Sequence, residues 1–304
     1  MKILIIGSEG FIGKQLYDYF KLKGNHIHRA DIINIISKGY TKIEPLNPDY
    51  EVLFSTTKWD VCINASGSAN VQASFLNPSH DYLLNTYNVK LMLKAIHAHQ
   101  PNCKFINFSS AAVYGNPNTL PISEEDSKNS IPLSPYGWHK AYSETLLSRF
   151  SDTFGLKTCS LRIFSAFGLG QKKLLLWDIL RKCQESDDGK ISLFGTGNES
   201  RDYIMIHDLI RAVEIVTEKS EFNGETINLA SGQEISIRKV AELAIGEINP
   251  KIRVEFTGNV KQGDPKNWKA DISKLKKLGF SNEISIEEGI NNYYKWAKTQ
   301  IEKE

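Results

Sequence analysis

The feature that most constrains this chain lies in its first thirteen residues. The apolar run Lys2–Ile6 is fit for a buried parallel strand and leads straight into Gly7-Ser8-Glu9-Gly10-Phe11-Ile12-Gly13. Phe11, Leu16 and Phe20 then recur at helical spacing until Lys23, and Gly24 suits a helix C-cap. A glycine loop between strand and helix assigns each glycine a job. Gly7 permits a tight turn, Gly10 lacks a Cβ so that a pyrophosphate can approach the backbone, and Gly13 lets helix and strand pack closely. The helix N-terminus, at Phe11 and Ile12, offers free N–H groups and a partial positive charge to phosphates. The spacing is Gly-x-x-Gly-x-x-Gly rather than the commoner Gly-x-Gly-x-x-Gly, and its placement predicts dinucleotide binding.

A second strand, His26–Ala30, ends at Asp31, about twenty residues beyond the loop. A carboxylate there can accept hydrogen bonds from both adenosine ribose hydroxyls and repels a 2′-phosphate, which favours NAD over NADP. Arg29 is close by and pulls against that preference.

Strand and helix patterns keep alternating. Asp60–Ala65 reads as a strand followed by the small residues Ser66-Gly67-Ser68-Ala69, Tyr82–His97 as a helix, and Lys104–Ser109 as a buried strand. Pro135 precedes a helix that runs to about Phe154, and Lys157–Phe164 is a strand again. This order predicts an α/β fold with a doubly wound parallel sheet and helices on both faces. After Phe164 the texture changes. Gly168, Gly170, Gly189, Gly195 and Gly197 interrupt the chain, and Asp187-Asp188-Gly189 reads as a turn. A helix near Ile206–Thr217, a strand near Thr226–Leu229, a helix near Ile237–Ile245 and an amphipathic helix over Ile286–Lys298 follow. The 304 residues are thus expected to divide into a dinucleotide-binding part, 1–165, to which about 204–230 returns, and a smaller α/β substrate region, 166–304.

Composition excludes several classes. With 37 basic and 35 acidic residues, the net charge of +2 gives no field suited to nucleic acid. No apolar stretch approaches the ~20 residues of a membrane span, and the strand beginning at Lys2 leaves no room for a signal peptide. Cys62, Cys103, Cys159 and Cys183 show no CxxC pairing and no metal-ligand spacing, so no metal is expected. Buried reduced thiols and a cytoplasmic location follow.

The catalytic candidates are Ser110, Tyr136 and Lys140. A free tyrosine, with a pKa near ~10, is a poor base at neutral pH. A lysine one helical turn away lies on the same face, and its charge favours phenolate. A serine hydroxyl can hold a substrate oxygen in line for proton transfer. Spacing alone does not select this pair, because Tyr17/Lys21, Tyr19/Lys23 and Tyr294/Lys298 repeat it. The last is expected on a solvated helix face. Only Tyr136 follows a strand ending in Ser109-Ser110 and opens a helix just after a proline.

With these residues in place the chain resembles the extended short-chain dehydrogenase/reductase family, in its nucleotide-sugar epimerase, dehydratase and reductase branch. The likeness runs through Cys62-Ile63-Asn64-Ala65-Ser66-Gly67, Ser109-Ser110-Ala111-Ala112-Val113-Tyr114-Gly115 and Pro135-Tyr136-Gly137-Trp138-His139-Lys140. It continues through Leu161-Arg162-Ile163-Phe164, Gly195-Thr196-Gly197, Arg201-Asp202-Tyr203 and Asn228-Leu229-Ala230. The resemblance implies a Rossmann-type sheet and a bound NAD. Tyr136 would be the acid/base, Lys140 would tune it and bind the nicotinamide ribose, and Ser110 would hold the sugar hydroxyl. Phe164 would contact the nicotinamide through its backbone, and Asn85 would support the site from a neighbouring helix. Ala65, Ser66, Gly67 and Ser109 fall among the expected cofactor contacts. Arg201 would grip the sugar-nucleotide diphosphate, where a planar guanidinium suits phosphate oxygens.

Departures from the family pattern narrow the chemistry. Dehydratases of this branch carry an Asp-Glu pair where this chain has Ala111 and Ala112, which argues against removal of water. Ser165 and Lys261 stand where asparagine and arginine usually hold the diphosphate, and Pro45 replaces a common acidic adenine contact. The leading expectation is a nucleotide-sugar 4-epimerase acting on a UDP-, dTDP- or GDP-sugar through a 4-keto intermediate. The alternatives are an NAD(P)H-dependent 4-keto-6-deoxysugar reductase and a non-catalytic dinucleotide-binding protein. The helices at Tyr82–His97 and Tyr136–Phe154 resemble those that pair family subunits, which implies a homodimer. Cell-surface polysaccharide synthesis is the setting that the resemblance suggests.

Overall fold

Aliphatic runs buried on both faces make the centre of the molecule, as parallel strands covered by helices require. The computed structural model describes residues 1–301. Its strands are β1 (Lys2–Ile6), β2 (His26–Asp31), β3 (Tyr40–Lys42), β4 (Val61–Asn64), β5 (Lys104–Ser110), β6 (Thr158–Ile163), β7 (Ser165–Phe167), β8 (Lys190–Leu193), β9 (Ser200–Met205), β10 (Asn223–Leu229), β11 (Glu234–Ser236) and β12 (Arg253–Phe256). Its helices are α1 (Phe11–Leu22), α2 (Glu51–Ser55), α3 (Val71–Leu76), α4 (Pro78–Tyr82), α5 (Asn88–His99), α6 (Pro135–Phe154), α7 (Leu174–Glu185), α8 (Ile206–Lys219), α9 (Ile237–Ile248), α10 (Ser273–Lys277) and α11 (Ile286–Ile301).

Seven strands form one parallel sheet in the order β10-β6-β5-β4-β1-β2-β3. Alternate residues of β1 feed two cores. Ile3 and Ile5 pack with Leu16 and Phe20 of α1 and Leu209, Val213 and Val216 of α8. Leu4 and Ile6 face Val89, Met92 and Ile96 of α5 and Leu147 of α6. The chain leaves β1 in one direction toward β2 and β3, then crosses back to β4 on the other side. Loops diverge there, and a crevice opens beyond the carboxyl ends of β1 and β4, the place where such sheets bind ligands.

The later chain builds smaller units: a β11-β9-β7 sheet, a β12-β8 pair, and helices α7, α9 and α11 packed together. Asp202 on β9 stitches this region to its surroundings. It accepts hydrogen bonds from Ser231 N, Ser231 Oγ, Gly232 N and Ala270 N. No described helix is long and apolar enough to cross a membrane.

Three expectations need correction. The helix expected from Tyr82 begins at Pro78, where Asn77 caps His80 N at 3.0 Å, and Leu83–Tyr87 forms a π-helical turn before α5. Tyr294 is buried, its hydroxyl donating to Leu176 O at 2.8 Å, because α11 packs inward rather than facing solvent there. Strands β3, β7, β8, β9, β11 and β12 and helices α2, α3, α7 and α10 were not anticipated. Three- and four-residue strands among glycines leave no measurable period.

Candidate active site

The glycine loop closes against the neighbouring strand's loop. Gly7 has φ +82°, and a Cβ on it would lie 2.5 Å from Ser66 N, so this backbone tolerates only glycine. A Cβ on Gly13 would collide with Gly7 O, which lets α1 start directly on the turn. Gly10 differs. The nearest atom to a Cβ there, Gly7 O, is 3.4 Å away, so the protein's own packing does not require glycine. The residue is exposed, caps α1 without a side-chain bond, and no acidic residue occupies the first turn. The first N–H groups, around Phe11 and Ile12, therefore lack an anionic or side-chain partner from the chain.

Asp31 sits at the end of β2, its Oδ2 accepting from Glu9 N at 2.8 Å and its Oδ1 from Ile32 N at 2.7 Å. Arg29 does not reach freely into the crevice. Its Nη1 donates to Glu9 Oε1 at 3.0 Å and its Nη2 to Ser37 Oγ at 3.2 Å, and its guanidinium lies over the Tyr17 and Tyr40 rings.

Helix α6 carries the catalytic candidates. Ser134 caps Gly137 N at 3.2 Å, Pro135 occupies the first turn, and Gly155 ends the helix with φ +66°. Tyr136, Lys140, Ser143, Glu144 and Leu147 share its buried face. A Cβ on Gly137 would lie 2.6 Å from Ala112 O, so glycine lets the helix start abut the turn after Ser110. Ser110 Oγ accepts from Ala112 N at 3.1 Å. Lys140 Nζ donates to Phe108 O at 2.8 Å and lies 5.9 Å from the centre of the Tyr136 ring.

The electrostatics differ from the sequence-based expectation. Burial pushes the Tyr136 phenol up to about 12, partly offset by its hydrogen bond with Ser110, while the Asp81 charge adds to the rise. Burial also pushes the Lys140 ammonium down to about 8, against the pull of Asp81 and Glu144. Desolvation is the largest cause at both groups. A polar ladder ties this helix to the cofactor crevice. Ser66 Oγ donates to Asn64 Oδ1 at 2.5 Å, Asn64 Nδ2 to Asn107 Oδ1 at 2.8 Å, Asn107 Nδ2 to Ser143 Oγ at 3.3 Å, and Ser143 Oγ to Lys140 O at 2.7 Å.

Asn85 lies in the π-helical turn and is 1% exposed. Its Nδ2 donates to Asp81 Oδ1 at 3.1 Å, but its buried Oδ1 has no partner. Gly67, with φ +108°, is needed beside it, since a Cβ would lie 2.5 Å from that oxygen. Asp81 also meets His139 Nδ1 at 2.6 Å, a buried pair whose histidine lies between Tyr136 and Lys140 in sequence. The orphaned Asn85 acceptor, the uncapped α1 and the open face of Gly10 together fit a dinucleotide.

Trp268 gathers Phe164 and one substrate candidate, Arg201. Its Nε1 donates to Gly115 O at 3.0 Å, its ring meets Phe164 edge-on at 5.9 Å, and the Arg201 guanidinium lies 5.6 Å from its centre. Phe164 N donates to Leu229 O at 3.1 Å, which fixes the backbone beside Ser165 at the start of β7. Arg201 Nη1 donates to Ser200 O and Lys266 O. Burial raises the Asp264 carboxyl, while Arg201 and Lys261 pull it down. Lys261 itself lies over the Phe194 ring at 4.5 Å. Sequence reasoning missed Glu9, Gly137, the Asp81–His139 pair and Trp268. Each acts through a partner at least twenty residues away in sequence, except that Gly137 had a signal in its place next to Tyr136.

Fold and site define a nucleotide-handling enzyme of the short-chain dehydrogenase/reductase type. The chain belongs to the NAD dependent epimerase/dehydratase family, whose model matches residues 3–230. It is 30% identical to the uncharacterized UDP-glucose epimerase YtcB of Bacillus subtilis (strain 168), covering 96% of both chains. It is 28% identical to the UDP-glucuronate 4-epimerase of Thermodesulfobacterium geofontis (strain OPF15), over 98% of this chain and 97% of the relative. The crystal structure of UDP-glucuronic acid 4-epimerase from Bacillus cereus, in complex with UDP-glucuronic acid and NAD, superposes with a TM-score of 0.87 at 26% identity. That match covers 99% of this chain and all of the other.

Proposed function

We propose that this chain is an NAD-dependent epimerase acting at C4 of a UDP-linked sugar. The observation that carries the reading is the Ser110–Tyr136–Lys140 group, its tyrosine and lysine buried and its tyrosine paired with Ser110, next to Ala111 and Ala112, which offer neither acid nor base. The relatives' names and the bound UDP-glucuronic acid and NAD of the Bacillus cereus enzyme support the choice of nucleotide and cofactor.

Gly7, Gly10, Phe11, Ile12 and Gly13 would hold the dinucleotide phosphates and Asp31 its adenosine ribose. Ala65, Ser66, Gly67, Asn85, Ser109, Lys140 and Phe164 would line its nicotinamide half. Bound NAD supplies the hydride acceptor at C4 and the donor that returns it. Ser110 holds the C4 oxygen, and Tyr136 takes its proton and later gives it back to the same oxygen. Lys140, pinned by Phe108 O, directs its charge to the ribose and phenol. Arg201, Lys261 and Ser165 anchor the diphosphate so that the sugar can turn over while the nucleotide stays in place. In this reading residues 1–165, with 204–230 returning to the sheet, bind the cofactor and 166–304 mainly bind the substrate.

A homodimer is part of the proposal. Tyr87 beside α5 and Trp138 and Tyr142, one turn apart on α6, are 40–48% exposed, aromatic surface available to a second copy. Sedimentation that finds only monomer at micromolar concentration overturns it. The four cysteines are buried and unpaired, which suits a cytoplasmic location.

The test is to release any nicotinamide from purified protein and then incubate it with UDP-, dTDP- and GDP-sugars without added reductant. Held NAD and a product epimeric at C4 support the epimerase. Turnover only with NAD(P)H and a 4-keto sugar would instead establish a reductase.

A further inference from the structure

The carboxyl end of β2 carries an arrangement that the family pattern does not assign. Arg29 and Asp31 are two residues apart on a strand, so their side chains leave the same face. One is suited to a 2′-phosphate, the other hostile to it. Between them stands Glu9, the third residue of the glycine loop.

Glu9 is bound to both. Its backbone N–H donates to Asp31 Oδ2 at 2.8 Å, and its Oε1 receives Arg29 Nη1 at 3.0 Å. The Glu9 side chain is 9% exposed and that of Arg29 17%, so the pair is only lightly screened by water. Ser8 Oγ also donates to Glu9 Oε1 at 3.2 Å, while Lys14 Nζ is 4.0 Å from Oε2 and mostly solvated. The Arg29 guanidinium is further fixed by Ser37 Oγ at 3.2 Å and by the Tyr17 and Tyr40 rings at 4.4 and 5.4 Å. A planar guanidinium held on both edges and over aromatic faces cannot swing to a new anion without breaking these contacts.

We infer that Glu9 is a specificity-determining residue: by engaging Arg29 it neutralises a cation suited to an adenosine 2′-phosphate, and Glu9, Asp31 and Arg29 together are net negative. The chain thereby favours NAD over NADP through two carboxylates, only one of which sits at the end of β2. The inference rests on the dinucleotide-binding reading above and adds how the two dinucleotides are told apart.

The test is a binding titration of dinucleotide-free protein with NAD and with NADP, by calorimetry, independent of turnover. Wild type is expected to bind NAD more tightly. Glu9→Gln, which keeps the side-chain shape, is expected to shift the ratio of affinities toward NADP by about tenfold or more, a difference of about 1.4 kcal/mol. Adding Arg29→Met to Glu9→Gln is expected to cancel that gain. Arg29→Met by itself, a check that does not depend on Glu9→Gln folding, is expected to leave NAD affinity within about twofold, since NAD brings no 2′-phosphate for the guanidinium to meet. An unmoved ratio in Glu9→Gln, a gain that survives the loss of Arg29, or a loss of NAD binding in Arg29→Met overturns the inference. So does wild type that binds NADP as tightly as NAD. Wild type that binds neither dinucleotide overturns the functional reading as well, which separates the two failures.

Discussion

Helices α1 and α6 start in the same way and end up with opposite duties. Each follows a strand of the central sheet, and each carries an early glycine pressed against a backbone carbonyl: Gly13 against Gly7 O, Gly137 against Ala112 O. Each also carries Tyr-x-x-x-Lys. The difference lies at the first turn. No side chain caps α1, whereas Ser134 and Pro135 close the start of α6. An open N-terminus leaves N–H groups for an outside anion, and a closed one makes the helix a rigid mount for side chains. The tyrosine–lysine pairs follow suit. Lys21 Nζ donates to the Tyr17 hydroxyl at 3.0 Å in an exposed setting, while Tyr136 and Lys140 are buried at 7% and 5% exposure. Identical spacing thus gives a surface contact in one helix and a buried, desolvated pair in the other.

The largest expected effect breaks that contrast directly. Tyr136→Phe removes the proton-carrying oxygen and should lower kcat by a factor on the order of 10²–10⁴, while Tyr17→Phe should leave steady-state rates within about twofold. Equal losses in both variants would mean that burial does not distinguish the pairs.

Lys140→Met should reveal what burying a cation costs. The ammonium is lowered from its ordinary 10.5 to about 8 in the folded chain, so below pH 8 it is charged in both states and carries the full burial penalty. Between pH 8 and 10.5 the unfolded chain binds more protons, and wild-type stability rises with pH. In dinucleotide-free protein, the stability of Lys140→Met relative to wild type should therefore be greater below pH 8 than at pH 10.5 by about 3 kcal/mol. Denaturant midpoints at pH 7 and 10 measure it, and a pH-independent gap would contradict the burial argument.

Two cap variants sharpen the comparison with smaller effects. Gly10→Asp gives α1 the cap it lacks in a backbone of φ −72°, so the melting temperature should hold or rise while NAD affinity falls by about tenfold. Ser134→Ala opens α6 and should cost about 1 kcal/mol of stability. If Gly10→Asp bound NAD normally, the open N-terminus of α1 would not be the phosphate site.

Much of this was legible along the chain because the signals are local. The β1–loop–α1 unit, the strand at Lys104–Ser109 and the helix from Pro135 each carry their own period and punctuation within a dozen or so residues. Ser110, Tyr136 and Lys140 stood out by context, and the structure brings them together. The later region was harder. Its strands of three to six residues owe their pairing to partners far away, as β7 and β9 do across residues 165 and 205. Trp268, which gathers Phe164, Gly115 and Arg201, carries no local mark of that role.

By itself, then, the sequence determined the alternation that makes a doubly wound sheet, the glycine turn and the reactive side chains, all set by steric and periodic rules acting over short spans. Only the tertiary structure decided the ionisation of Tyr136 and Lys140, the engagement of Arg29 by Glu9 and the orphaned oxygen of Asn85. Those depend on desolvation and on partners from distant segments, and neither exists until the chain is folded.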